Sequence, residues 1–151
     1  PFQVVQAVLD HPSLNIPRIF ARAQATQSIM DSSLGSEVAA LHRRIRNIIR
    51  NQERHRVSEN HLREPQEKIL FELLREAKPG IDTLLTQQDY PQACERLMEI
   101  KPVVDEFFEA ILVMDQDPAI RSNSLGLLQI LDDLLSEIAD FSRIAEQGVQ
   151  E

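Results

Sequence analysis

The chain has 151 residues, 42% apolar and 26% charged, with four glycines, one cysteine and no tryptophan. That is about one domain's worth, long enough to bury roughly two thirds of its unfolded surface, and its wealth of Leu, Ile, Ala, Glu, Gln and Arg favours helix over sheet. The lone Cys94 excludes an internal disulfide framework, no window reaches the roughly 20 apolar residues of a membrane span, no signal-peptide pattern opens the chain, and the net charge of −8 argues against a nucleic-acid partner unless the charge is unevenly spread.

Apolar residues recur at three- and four-residue spacing nearly throughout, which reads as helix. The chain opens at Pro1 without an initiator Met, as a fragment or processed product would. Phe2 to Leu9 reads as a short first helix ended near His11-Pro12, and Ile16 to about Met30 as a second, with Ile16, Ile19, Phe20 and Ala23 on one stripe. Ser36 is expected to cap a third helix from Glu37 to about Gln52, striped by Val38, Leu41, Ile45, Ile48 and Ile49. Residues 53–64 are polar and aperiodic and read as a loop or a frayed helix extension. Pro65 suits the start of a helix whose buried face is Ile69, Leu70, Leu73 and Leu74. Lys78-Pro79-Gly80 is expected to break it, leaving Ile81, Leu84 and Leu85 as a short continuation.

Asp89-Tyr90-Pro91 opens the next helix, with Ala93, Leu97 and Ile100 apolar; Lys101-Pro102 restarts the chain, and Val103, Val104, Phe107, Phe108 and Ile111 follow. An apolar run then stops at an acidic turn. Asp117 can cap the orphan N–H groups of a last helix, Pro118 suits its first position, and Leu125, Leu128, Leu131, Leu135, Ile138 and Phe141 carry it to about Ala145. With no fixed-period repeat and no low-complexity linker, the simplest architecture is all-α, one bundle of about six to eight helices.

Charge is divided along the chain. Residues 1–88 carry 12 Lys/Arg against 10 Asp/Glu, whereas residues 89–151 carry 4 against 14. Seven arginines lie between Arg43 and Arg63, opposed there by Glu53 and Glu59 alone. Helical geometry aligns Arg43, Asn47 and Arg50 on one side, and Arg46 with Arg50. Guanidinium groups suit phosphates and base edges, and an Asn amide both donates and accepts. The competing reading is a polar face paired with the acidic C-terminal half.

Other constellations carry less. His11, His42, His55 and His61 have no metal-ligand spacing and read as surface or loop residues, although His42 beside the arginines could stack on a base. Cys94, between Ala93 and Glu95, reads as a small buried or half-buried side chain, since Glu95 argues against the electropositive setting a nucleophile needs. Asp132, Asp133, Glu137 and Asp140 lack the Glu-x-x-His element of carboxylate-bridged metal sites and read as a solvated acidic face. Phe107-Phe108 could form a stacking platform, yet the stripe Val104, Phe107, Phe108, Ile111 requires at least one buried ring. No phosphate loop, dinucleotide fingerprint or nucleophile elbow is present in the sequence. A stand-alone enzyme therefore finds no nucleophile, metal set or phosphate loop.

The run from Val104 through Phe107-Phe108 and Met114 to Asp117-Pro118, Arg121 and Asn123, continuing into Leu125-Gly126-Leu127-Leu128 and Ala139-Asp140-Phe141-Ser142, resembles the C-terminal region of the bacterial-type glycyl-tRNA synthetase beta subunit. The segments Arg44-Ile45-Arg46-Asn47-Ile48 and Asp89-Tyr90-Pro91-Gln92-Ala93 fit the same family in order and spacing, so the resemblance covers about residues 38–145. It implies a helical anticodon-binding domain over residues 36–151, similar to that of arginyl-tRNA synthetase and so of the class Ia synthetase type, with residues 1–35 as leading helices of the same unit. The implied task is docking the anticodon arm of glycine tRNA. The resemblance also implies partners in the synthetase alpha subunit and the rest of the beta subunit, with no membrane. No cofactor belongs to this chain on that reading; the complete enzyme would use ATP and Mg in its alpha subunit. A bacterial cytoplasmic setting, or an organelle for a plastid-type enzyme, would follow. The candidate RNA-binding residues are Arg43, Arg44, Asn47 and Arg50 on the third helix, with Arg121 and Asn123 at the corner. One departure is visible: the family pattern continues Asn-Arg-Leu where this chain has Asn123-Ser124-Leu125. The alternative is a non-catalytic helical interaction domain whose Arg-rich helix binds an acidic protein.

Overall fold

The computed structural model describes residues 2–4, 15–111 and 115–144. Over residues 15–144 the described residues form six α-helices, α1 (Ile16–Asp31), α2 (Gly35–Ile49), α3 (Pro65–Thr86), α4 (Tyr90–Glu99), α5 (Lys101–Ala110) and α6 (Pro118–Ile138), with short 3₁₀ turns at Glu59–His61, between α2 and α3, and at Phe141–Arg143, after α6. There is no strand among the described residues. None of the helices is long and apolar enough to cross a membrane.

α6 is the centre of the bundle. Every residue from Asn123 to Gln129 is buried, so this stretch of the helix is enclosed on all sides rather than along one stripe. It packs against α2, α3 and α4, and Leu125, Leu127, Leu128, Leu131, Leu135 and Ile138 are each at most 2% exposed. Its start is the expected one: the Asp117 carboxylate accepts from the Ala119 N–H at 2.9 Å, with Pro118 in the first position. Its end is earlier than Ala145. Ala139 is extended, and the Asp140 carboxylate accepts from the Ser142 N–H at 3.2 Å, capping a 3₁₀ turn that buries Phe141.

α3 corrects the expectation of a break at Pro79. It runs unbroken for 22 residues with Pro79 inside it. Pro79 and Gly80 are exposed, so water can reach the carbonyl that proline leaves without a donor. The buried positions Leu70, Leu74, Ile81 and Leu85 stay in phase on both sides, and packing against α4 and α5 holds that face through the defect. α2 starts at Gly35, two residues before the expected position, with Leu34 rather than Ser36 at its N-cap, and ends at Ile49. A Cβ on Gly35 would lie 2.4 Å from the Met30 carbonyl oxygen, so the tight entry from α1 excludes any side chain there. Asn51, with φ of 59°, turns the chain out of α2. The helix expected over Phe2–Leu9 is described only at residues 2–4, which are helical; the rest lies outside the described residues.

α1 leans on the bundle through two arginines. Arg18 Nε donates to the Tyr90 hydroxyl at 3.1 Å, and Arg22, 1% exposed, donates from Nε to the Ile138 carbonyl at 3.0 Å. Burial lowers the Arg22 pKa below the ordinary guanidinium value, partly opposed by Tyr90 and Glu137.

Candidate functional site

The Arg-rich α2 has two kinds of neighbour. Toward the core, His42 is fully buried, and its Nε2 lies 2.9 Å from Asp132 Oδ1. Arg46 Nε reaches the same oxygen at 2.5 Å, and an Arg46 terminal nitrogen donates to Ser136 Oγ at 2.8 Å. Burial at this ion pair corrects two expectations. His42 is not a surface residue and cannot stack on a base; its ring is tilted against Phe141, with centroids 6.2 Å apart. Asp132 and Asp140 do not form a solvated acidic face; each is 9% exposed.

Away from the core, α2 keeps cations for other partners. Of the seven arginines, Arg46, Arg54 and Arg63 have carboxylates: Asp132, Asp133 and Asp117. Arg54 grips Asp133 with two parallel hydrogen bonds of 2.9 and 2.6 Å, which hold its pKa above the ordinary guanidinium value. Arg43, Arg44, Arg50 and Arg56 have no carboxylate partner among the described residues. Arg43 is half-buried and donates to the Ile144 carbonyl at 3.1 Å. Arg44 is exposed, and its guanidinium carbon stands 3.9 Å from the centroid of the Phe108 ring. Asn47 and Arg50 are exposed. The acidic half of the chain thus neutralises some of these cations and leaves others without a carboxylate.

Arg43, Arg46, Asn47 and Arg50 line one side of an open groove of about 520 Å³, with Asp140 and Arg143 of the second 3₁₀ turn on the other. Arg46 is paired with Asp132 and Arg143 with Asp140, so the excess positive charge of the groove comes from Arg43 and Arg50. Asp140 is engaged by the Arg143 Nε at 3.2 Å, and a groove with this balance attracts an anion of phosphate size. The structure thus brings Arg43, Asn47 and Arg50 together, with Arg44 on the adjoining edge of the same helix face.

Arg121 and Asn123 lie elsewhere and are occupied. Arg121 is half-buried and reaches the Asp115 carbonyl at 3.3 Å, bracing the corner before α6. Asn123 is 1% exposed; its carbonyl oxygen accepts from the Ser58 N–H at 2.8 Å and its amide donates to the Ser58 carbonyl at 3.0 Å. Two turns on, Gln129 repeats the device, accepting from the His55 N–H at 2.8 Å and donating to the Glu53 carbonyl at 2.8 Å. Between them Gly126 leaves room for the passing chain, since a Cβ would come within 3.0 Å of Val57 Cγ2. Residues 53–58 are thus an extended strap whose backbone pairs with side-chain amides of α6 as it would with a sheet edge. The polar, aperiodic sequence reads here as a loop or a frayed helix extension, without the partner on α6. The signal was Asn123, Gly126 and Gln129 at three-residue spacing on an otherwise apolar helix.

Ser124, the departure from the family pattern, is fully buried and its hydroxyl donates to Glu67 Oε1 at 3.1 Å. The other Glu67 oxygen accepts from the Arg63 and Glu64 N–H groups at 3.1 and 3.3 Å, closing the start of α3. Cys94 is fully buried, and burial, with a smaller contribution from Glu95, pushes its thiol up to about 12. No group of three or more His, Cys, Asp or Glu suited to a metal ion occurs among the described residues.

Residues 38–146 match the DALR anticodon binding domain. The chain is 34% identical to the glycine–tRNA ligase beta subunit of Acidobacterium capsulatum over 95% of its own length and 22% of that protein's. It is 32% identical to the beta subunit of Leptothrix cholodnii, over 95% and 20% respectively, and 28% identical to that of Neisseria meningitidis serogroup A, over 97% and 22%. It spans about a fifth of the length of these relatives. The chain belongs to the DALR anticodon binding domain family.

Proposed function

We propose that this domain docks the anticodon arm of glycine tRNA through the outer face of α2, as part of a glycyl-tRNA synthetase beta subunit. The observation that carries the reading is the set of cations without carboxylate partners, Arg43, Arg44 and Arg50, gathered around Asn47 on a chain of net charge −8. Arg43 and Arg50 take backbone phosphates in the groove, while Asn47 meets the edge of an exposed loop base. Arg121 and Asn123 act at one remove, by holding the corner and the strap that fix the C-terminal end of α2. The acidic half of the chain repels RNA arriving from the other side.

Residues 1–35 are taken as leading helices of the same unit, supported by the Arg18–Tyr90 and Arg22–Ile138 contacts. Glycine activation with ATP and Mg would belong to the alpha subunit, and the remainder of the beta subunit would carry this domain to it, in the cytoplasm of a bacterium or in a plastid.

Fluorescence titration with glycine tRNA at low salt tests the reading. Binding should exceed that of an unrelated tRNA, and log K should fall with log salt with a slope of roughly −1.4, as two phosphates on a single-stranded loop give. Arg50→Ala should reduce the slope by about 0.7. Equal affinity for both tRNAs, with Arg50→Ala and Asn47→Ala silent, would reject it. Recovery of an acidic protein at the same face, without RNA, would favour the interaction-domain alternative.

A further inference from the structure

The outer face of α2 has two edges with different chemistry. One edge borders the groove of Arg43, Arg46 and Arg50. The other is Arg44, and its surroundings are unlike those of its neighbours. Arg44 has no carboxylate partner and no hydrogen bond among the described residues, yet its guanidinium lies over the Phe108 ring at 3.9 Å. Phe108 is itself fixed from beneath: it is half-buried, packed against the core, and tilted against the fully buried Phe107 with centroids 5.9 Å apart. An arginine chosen only to attract phosphate would keep its rotamers free. This one stands over a ring whose position the core dictates, on a residue that is itself exposed.

A planar cation held this way is a stacking surface. Guanidinium planes accept nucleobases face to face, and a base added to Arg44 would complete a three-layer stack of base, guanidinium and phenyl ring. The N–H donors at the rim of Arg44 remain free for the base edge or its phosphate. Asn47, exposed, lies about one turn along the helix on the same side as Arg44. A base lying on Arg44 would present its edge to this amide, while the sugar–phosphate chain leads on to the arginine groove. Aromatic contact beneath the cation also explains why Arg44 and Phe108 come from different helices, α2 and α5: the shelf exists only when the bundle is assembled.

The geometry points to Arg44 on Phe108 as a binding shelf for one unpaired nucleobase, distinct from the phosphate groove of Arg43, Arg46 and Arg50. This rests on the reading of α2 as the RNA-binding face and specifies how the face divides its work.

The 151-residue chain would be titrated with anticodon stem-loop hairpins of glycine tRNA in which each loop position in turn carries 2-aminopurine or an abasic site. One position should show 2-aminopurine quenching on binding, and the abasic hairpin at that position should bind about tenfold more weakly, the order that one stacked base contributes. Arg44→Lys keeps the charge and removes the plane. It should lose the quenching and about tenfold in affinity, leave the salt slope unchanged, and be indifferent to the abasic site. Phe108→Leu should behave similarly, and Phe108→Tyr should restore binding. Overturning results are an Arg44→Lys protein that binds and quenches as the parent does, or an Arg44→Gln protein whose whole loss appears as a salt slope smaller by about 0.7. Either would make Arg44 a phosphate contact while leaving anticodon docking intact. Hairpin binding no tighter than that of an unrelated hairpin would instead remove the docking reading, and the shelf with it.

Discussion

Asn123→Ala separates a direct RNA contact from a positioning role. The side chain is 1% exposed and makes two hydrogen bonds to the backbone of Ser58, at 2.8 and 3.0 Å. Each such bond contributes about 1 kcal/mol net, and truncating the amide leaves a small void beside the strap. Ser58 is half-buried, so water can partly replace the lost partners and the cavity contribution is modest. The expected loss is about 2–3 kcal/mol, read as a lower urea midpoint with unchanged slope. Hydrogen exchange should localise it: the Ser58 amide should exchange about 30-fold faster or more, and the His55 amide, still held by Gln129 at 2.8 Å, should change less. RNA affinity should fall only as far as the strap loosens Arg50 and Asn51. A variant as stable as the parent, with Ser58 protection intact and RNA binding abolished, would refute the reasoning and return Asn123 to the RNA-contacting set.

Three further outcomes follow from the same contacts. Gly80→Ala should stabilise the protein by about 1 kcal/mol, measured as a rise in Tm, because nothing lies within 4 Å of the added methyl and the position is an exposed helix interior. Gly126→Ala gains similar helix propensity but meets Val57 Cγ2 at 3.0 Å, so global stability should stay within about 1 kcal/mol of the parent while the Ser58 and His55 amides exchange faster. Cys94, whose thiol is pushed up to about 12 by burial, stays protonated in the native state after the unfolded chain has ionised. Its contribution is present below about pH 9 and is lost as pH rises toward about 12. Cys94→Ala should therefore flatten the alkaline limb of the stability curve, and the native thiol should react with a thiol reagent no faster than the protein unfolds.

The parts of this fold legible in the sequence are those set by local chemistry. Asp117 with Pro118 marked the start of α6, and the Leu/Ile stripes located the helices, because capping and amphipathic spacing act within a turn or two. The α2 cation face was legible for the same reason, since residues three and four apart must be neighbours. What was misread depends on partners distant in the chain. Pro79 signalled a break, but Leu70, Leu74, Ile81 and Leu85 keep one register, and tertiary packing outweighs the missing bond. His42 looked like a surface residue among arginines until α6 brought Asp132 within 2.9 Å. Asn123 looked like a presented polar group; its amide is turned inward by a strap 65 residues earlier in the chain. Asp140 ended α6 by capping the following turn, a local signal hidden by the apolar spacing of Ile138 and Phe141.

The central claim is that the outer face of α2 receives the anticodon arm. Amide chemical-shift mapping of the 151-residue chain with a glycine-tRNA anticodon stem-loop tests it most directly. The account predicts perturbations concentrated at Arg43, Arg44, Asn47, Arg50 and Asn51, and little change along the separate groove between α3 and α4 lined by Leu73, Ala77, Ile81, Gln92 and Arg96. Perturbations centred on that α3–α4 groove, with α2 silent, would contradict it.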